Sequence, residues 1–233
     1  MIRTEEVATG RVNGHITHAE RPRGGLLLLP TITGVDAFAR GRAKVLAEAG
    51  YTTLIWNSYP GEAPPADMPS AQARAAKLND TSVDAMSDCV GHLRDALRLP
   101  QVAVIGFCLG GRYAVLLAAK DRRLNCCVAY YPSIRVPKSP NQTLDAVALA
   151  ADIPCPAHLI HGTGDKVFLH PVYLQVRDAL EQRKAVTMVQ VHPGAVHSFM
   201  RVDLHSDPAN AEASRLSWPP VMGFLDTCFA PAT

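Results

Sequence analysis

Gln101-Val102-Ala103-Val104-Ile105-Gly106-Phe107-Cys108-Leu109-Gly110-Gly111 runs directly into Arg112-Tyr113-Ala114-Val115-Leu116-Leu117-Ala118-Ala119-Lys120. An apolar run of strand length meets a cysteine between glycines and opens at once into a helical stretch. G-x-C-x-G at such a junction is the pattern of a tight strand-to-helix turn that lifts a nucleophile above a sheet. The nucleophile takes strained dihedrals there, and side chains two residues to either side would collide, which calls for glycine at 106 and 110. Cys108 then sits at a helix N-terminus, where the field favours thiolate. The Leu109 amide points where an acyl oxyanion would form. A bare G-x-C-x-G also fits a packing turn; the strand before it and the helix after it favour the nucleophile.

Outward from this stretch, short apolar runs alternate with helical segments. Strands are predicted at residues 26–30, 51–56, 101–106, 125–131, 156–161 and 185–192. Helices are predicted at 37–49, capped by Asp36 and stopped at Gly50, and at about 80–98, 109–120, 171–182 and 210–229. Pro219 and Pro220 should kink or restart the last of these. Residues 60–69 read as a polar, Pro-rich excursion, 133–140 as irregular, and 5–18 as an antiparallel edge hairpin turning near residues 10–14. The rhythm describes one α/β domain over residues 1–233, with a mostly parallel central sheet and helices on both faces. In such sheets chemistry sits at the carboxyl ends of the strands.

Two of those ends carry partners for a nucleophile. His161-Gly162-Thr163-Gly164-Asp165 places Asp165 in a loop after one strand, and His192-Pro193-Gly194-Ala195-Val196-His197-Ser198-Phe199 does the same for His197 after the last. Alone, Asp165 could cap a turn and His197 a helix. The chain order Cys108, Asp165, His197 is nucleophile, acid, base, the order of the α/β-hydrolase fold. With GFCLGG at 106–111, HGTGD at 161–165, HSF at 197–199 and TGVDAF at 33–38, the chain resembles the dienelactone hydrolases (carboxymethylenebutenolidases), from about residue 26 to residue 231. The resemblance implies Cys108 as nucleophile, His197 as base, Asp165 as its partner, and the Ile32 and Leu109 amides as oxyanion hole.

Two departures stand out. Family members often carry a glutamate after the first long strand that contacts the thiol, and the aligned residue here is Thr31, which cannot take a proton from it. Either His197 activates the thiol directly, or the resting state and substrate differ. Of two arginines that bind a substrate carboxylate in the family, one aligns with Arg201. The other falls near Gln72, with Arg74 two residues away. Arg201, Thr31 and Arg74 therefore enter as candidate substrate contacts, while Arg135 and Lys138 read as solvated rim residues.

Composition narrows the alternatives. The 233 residues are 48% hydrophobic, and 23 basic against 21 acidic residues leave a formal charge of +2, with no basic run to bind nucleic acid or a membrane surface. No stretch approaches the ~18 uninterrupted apolar residues of a membrane span. The start, with two acids and no apolar run, predicts no secretory leader and hence a cytoplasmic protein. Cys89, Cys108, Cys126, Cys127, Cys155 and Cys228 include no C-x-x-C pair and are expected as thiols. His158 and His161, three apart on a strand, point to opposite faces, so no metal site is expected, and no nucleotide motif occurs. The expectation is a cofactor-free hydrolase of a small ester, lactone or thioester, carboxylate-bearing if Arg201 reads charge, acting as a monomer or homodimer. The competing reading is a non-catalytic fold that keeps the pocket for ligand binding. Thr31 favours it, and the complete Cys108, His197 and Asp165 set opposes it.

Overall fold

Thr9 pairs with Val12, so the first hairpin turns in two residues, Gly10 and Arg11, with Gly10 at φ +58°. The turn is tighter than the sequence suggested. Gly14 belongs instead to the second strand, where a Cβ would stand 2.1 Å from the Ile55 carbonyl oxygen. A computed structural model describes residues 2–230 of the chain. Its strands are β1 Arg3–Thr9, β2 Val12–His18, β3 Gly24–Leu29, β4 Tyr51–Trp56, β5 Val102–Phe107, β6 Cys127–Tyr130, β7 Ala157–Gly162 and β8 Thr187–His192. Its helices are α1 Ala37–Glu48, α2 Met68–Ala75, α3 Ser82–Gly91, α4 Leu109–Lys120, α5 Ala146–Ala150, α6 His170–Glu181 and α7 Pro208–Cys228.

The strands form one sheet in the order β1-β2-β4-β3-β5-β6-β7-β8. β2 runs antiparallel to both neighbours, and every pairing from β4 to β8 is parallel. Every residue of β3, β4, β5 and β7 is buried, as continuous apolar runs covered on both faces must be. β3 leads on to β4 on one side and pairs with β5 on the other, so the direction of winding reverses between β3 and β5. The crevice beyond their carboxyl ends is where such a sheet binds ligands. This is the α/β-hydrolase architecture that the order of motifs predicted.

Differences from the sequence reading have local causes. The excursion at 60–69 ends in α2, which prolines had hidden: Pro69 is tolerated in the first turn, and Asp67 and Ser70 cap it reciprocally, the Asp67 side chain accepting from the Ser70 amide and the Ser70 hydroxyl from the Asp67 amide. The helix predicted at 80–98 is α3 followed by a widened turn, His92–Ala96. α7 does not restart at its prolines. Pro219 and Pro220 deprive only the Arg215 and Leu216 carbonyls of helical donors, and both residues are exposed, so water can serve them. No helix among the described residues is long and apolar enough to cross a membrane.

Candidate active site

Cys108 leaves β5 with φ +55° and ψ −115°, a left-handed strained conformation, and caps the N-terminus of α4. The two glycines are steric necessities. A Cβ on Gly106 would stand 2.1 Å from the Gly110 carbonyl oxygen, and one on Gly110 2.0 Å from that of Leu29. The turn is also bonded to its surroundings. The Gly110 amide donates to the Pro30 carbonyl at 3.0 Å, and the Cys108 carbonyl accepts from the Ser133 amide at 2.9 Å.

Asp165 follows β7 and is buried. Its Oδ1 accepts from the Val167 and Phe168 amides at 2.7 and 2.9 Å, leaving Oδ2 to accept from His197 Nδ1 at 2.8 Å. The parallel register that pairs Gly162 with His192 brings the two loops side by side. They pack so closely that a Cβ on Gly162 would meet the Ala195 carbonyl oxygen at 2.3 Å. The His197 loop is held by Asn210, whose Oδ1 accepts from the Val196 amide at 2.9 Å.

The other imidazole nitrogen, Nε2, is buried and has no hydrogen-bond partner of good geometry. Burial alone would lower the His197 pKa. The negative charge of the Cys108 sulfur and the hydrogen bonds to Asp165 and Cys108 outweigh it and push the value up to about 10.

Cys108 and His197 border a cavity of about 730 Å³, within the range of small-molecule sites. Thr31, Ile32 and Leu109 line it as well, and as the first residue of α4, Leu109 has an amide with no helical acceptor. The Thr31 hydroxyl bonds to that of Thr33 at 2.6 Å, and Thr33 donates to Asp36 Oδ2 at 2.6 Å. Arg201 lines the cavity with its guanidinium gripped by Asp203, Nε to Oδ1 at 3.0 Å and Nη2 to Oδ2 at 2.9 Å.

Arg74 does not line it. The guanidinium is buried over the Tyr59 ring at 3.8 Å and donates to the Ala63 and Thr33 carbonyls at 2.9 and 3.0 Å. Two positions apart on a helix lie on nearly opposite faces, so Gln72 meets the cavity and Arg74 turns inward. Arg135, read from the sequence as a solvated rim residue, does border the cavity, although it is exposed. Lys138 borders a neighbouring depression.

Sequence reasoning passed over Tyr131. It is fully buried, its ring meets those of His197 at 5.3 Å and Phe199 at 5.1 Å, and its hydroxyl has no partner. The only local signal was a second tyrosine at the end of an apolar strand. His158 and His161 do face opposite sides of the sheet, the first against Phe224 of α7 and the second stacked on Tyr173 of α6.

Known proteins share the fold that carries this site. The profile of the dienelactone hydrolase family matches residues 13–229. The carboxymethylenebutenolidase of Rhodococcus opacus is 28% identical over 222 residues, 90% of this chain and 84% of that protein. A provisionally assigned carboxymethylenebutenolidase of Escherichia coli K12 is 29% identical over 187 residues, 78% of this chain and 69% of its own. Among solved structures, a provisionally assigned dienelactone hydrolase from Klebsiella pneumoniae superposes with a TM-score of 0.79 at 25% identity, covering 96% of this chain and 98% of the other. With the match running from the second strand to the end of the last helix, the chain belongs to the dienelactone hydrolase family of α/β-hydrolases.

Proposed function

We propose that the protein hydrolyses a small ester, lactone or thioester through Cys108, with His197 as base and Asp165 as the group that orients and charges it. One observation carries this reading: His197 bonds to Asp165 at 2.8 Å through Nδ1 and lines, with Cys108, one cavity in which the charge and hydrogen bonding of the Cys108 sulfur act on the imidazole.

The thiolate attacks the substrate carbonyl. A sulfur–carbon bond forms and the π pair moves to oxygen, where the Ile32 and Leu109 amides donate to it. Collapse of this oxyanion expels the alkoxide, which takes its proton from His197 Nε2. Water then attacks the acyl thioester as Nε2 receives the water's proton, and departure of the thiolate returns the pair to its resting state. Asp165 keeps Nδ1 protonated and stabilises the imidazolium throughout.

The test is turnover of 4-nitrophenyl butyrate by the parent, Cys108→Ala, His197→Ala and Asp165→Asn. The first two substitutions should remove nearly all activity, whereas Asp165→Asn should leave a measurable remainder. Cys108→Ala turning over ester at the parental rate would overturn the proposal, and full activity in His197→Ala would move the base elsewhere.

A further inference from the structure

Among the described residues lining the cavity, the charged side chains besides His197 are Arg135, Arg201 and Asp203. Arg201 and Asp203 neutralise each other through two parallel hydrogen bonds. Arg74 has both terminal nitrogens committed to carbonyls and lies outside the cavity. Arg135 is left with no ion pair or hydrogen bond to any described residue, and it is exposed to whatever enters.

The position of Arg135 is set from the nucleophile itself. The Ser133 amide donates to the Cys108 carbonyl, and Ile134 is buried beside it, which fixes the start of the segment. Farther along, Asn141 donates to the Ala75 and Leu78 carbonyls at 3.3 and 2.7 Å, which ties that end of the segment to the region of α2. Arg135 is two residues beyond Ser133, at most ~7 Å of extended chain. Arg135 thus lines the cavity that holds Cys108, together with the apolar Ile32, Leu109 and Val167, and also borders the neighbouring depression.

We infer that Arg135 is the specificity-determining cation of this site, selecting substrates that carry one carboxylate a short apolar span from the carbonyl attacked by Cys108. The inference rests on the hydrolase reading above and goes beyond it by naming the residue that reads substrate charge. A guanidinium without a carboxylate partner offers its full charge and its planar fork to an incoming anion. Arg201 would first have to release Asp203.

Two pairs of probes test this separately from turnover. The first pair is 3-maleimidopropionate and N-ethylmaleimide, an anion and a neutral analogue of similar size. In each, the Cys108 sulfur bonds to an alkene carbon, the π pair moves to the neighbouring carbon, that carbon takes a proton, and no group leaves. The mass of the Cys108 peptide reads the rate. The second pair is the 4-nitrophenyl monoester of succinate and 4-nitrophenyl butyrate. In both pairs the anionic-to-neutral rate ratio should fall about tenfold in Arg135→Gln, recover in large part in Arg135→Lys, and fall less in Arg201→Gln. Arg135 is exposed and unpaired, so its variants should fold. A ratio in Arg135→Gln within about twofold of the parent, or a greater fall in Arg201→Gln, would overturn the inference. If no ester is turned over at all, the hydrolase reading fails alone, and the maleimide ratio still decides for or against Arg135.

Discussion

Thr31 lines the same cavity as Cys108, and its hydroxyl belongs to a chain that ends on Asp36, the residue whose Oδ1 accepts from the Ala39 amide to cap α1. The thiol thus has no carboxylate from this loop against it, and its charge partner is His197, raised to about 10 by the Cys108 charge and the Asp165 bond against the pull of burial. A group raised in this way keeps its proton throughout the neutral range. Thr31→Glu would set a second negative charge in the same wall. We expect the acid limb of the pH–rate profile for 4-nitrophenyl butyrate to move to higher pH, with a smaller effect on melting temperature. Overlaid profiles for parent and variant would mean that residue 31 does not face the sulfur. Thiol mapping adds a control at this scale. Burial raises Cys89 to about 12 and Cys155 to about 11, whereas hydrogen bonding to Cys126 lowers half-buried Cys228, making Cys228 the thiol most able to compete with Cys108 for an alkylator.

The elements hold the site through a few polar clamps, and one of them lies on the helix that Cys108 opens. Arg112, one turn into α4, donates from Nη1 and Nη2 to the two Asp80 oxygens at 2.6 and 3.0 Å, and from Nη2 to the Leu144 carbonyl at 3.2 Å. Asp80 accepts in turn from the Leu144 amide at 2.7 Å. Both side chains are only 2% exposed. Removing one partner leaves the other charge buried and uncompensated, so Asp80→Ala should lose about 3–5 kcal/mol in urea unfolding, with Asp80→Asn intermediate. A loss below about 1 kcal/mol for Asp80→Ala would show that water reaches Arg112 once the carboxylate is gone. This clamp also marks what a sequence can reveal. The turn at Cys108 was legible because its constraint is local: two glycines, a strand and a helix within a few residues. Asp36 was legible as a cap for the same reason. The Asp80–Arg112 pair, the inward turn of Arg74 and the meeting of Tyr131 with His197 depend on which faces the elements present to one another, and spacing along the chain carries no record of that. The pairing of Asp165 with His197 was legible only through chain order, since the register of β7 on β8 is what brings them together.

At the scale of the whole molecule, the sheet buries His158 and His161 on opposite faces, and both bear on acid stability. His158 is 1% exposed, accepts on Nε2 from the Gln190 amide group at 2.9 Å and leaves Nδ1 without a partner. Burial lowers its pKa to about 4. His161 is also held near 4, with burial as the larger cause and the nearby Asp165 charge opposing it. An unfolded histidine titrates near ~6.5, so between that pH and about 4 the unfolded chain binds protons that the folded chain refuses. Stability must therefore fall as pH drops through this window, by roughly 3 kcal/mol for His158, with His161 adding a loss in the same direction. The carboxylates act elsewhere on the scale. Asp80 and Asp121 are lowered from 3.8 despite burial, by Arg112 and by Arg123 with Ser87 respectively, so the stability they contribute is lost only below that pH. For a domain of this size the His158 contribution corresponds to a fall in melting temperature of about 6–12 °C between pH 6.5 and 4. His158→Gln keeps a polar group opposite Gln190 and removes the titration. Its melting temperature should fall less steeply than the parent's across that window and in parallel with it below pH 3.8. Parallel curves over the whole range would mean that His158 takes up its proton in the fold, with Nδ1 finding an acceptor as it does so.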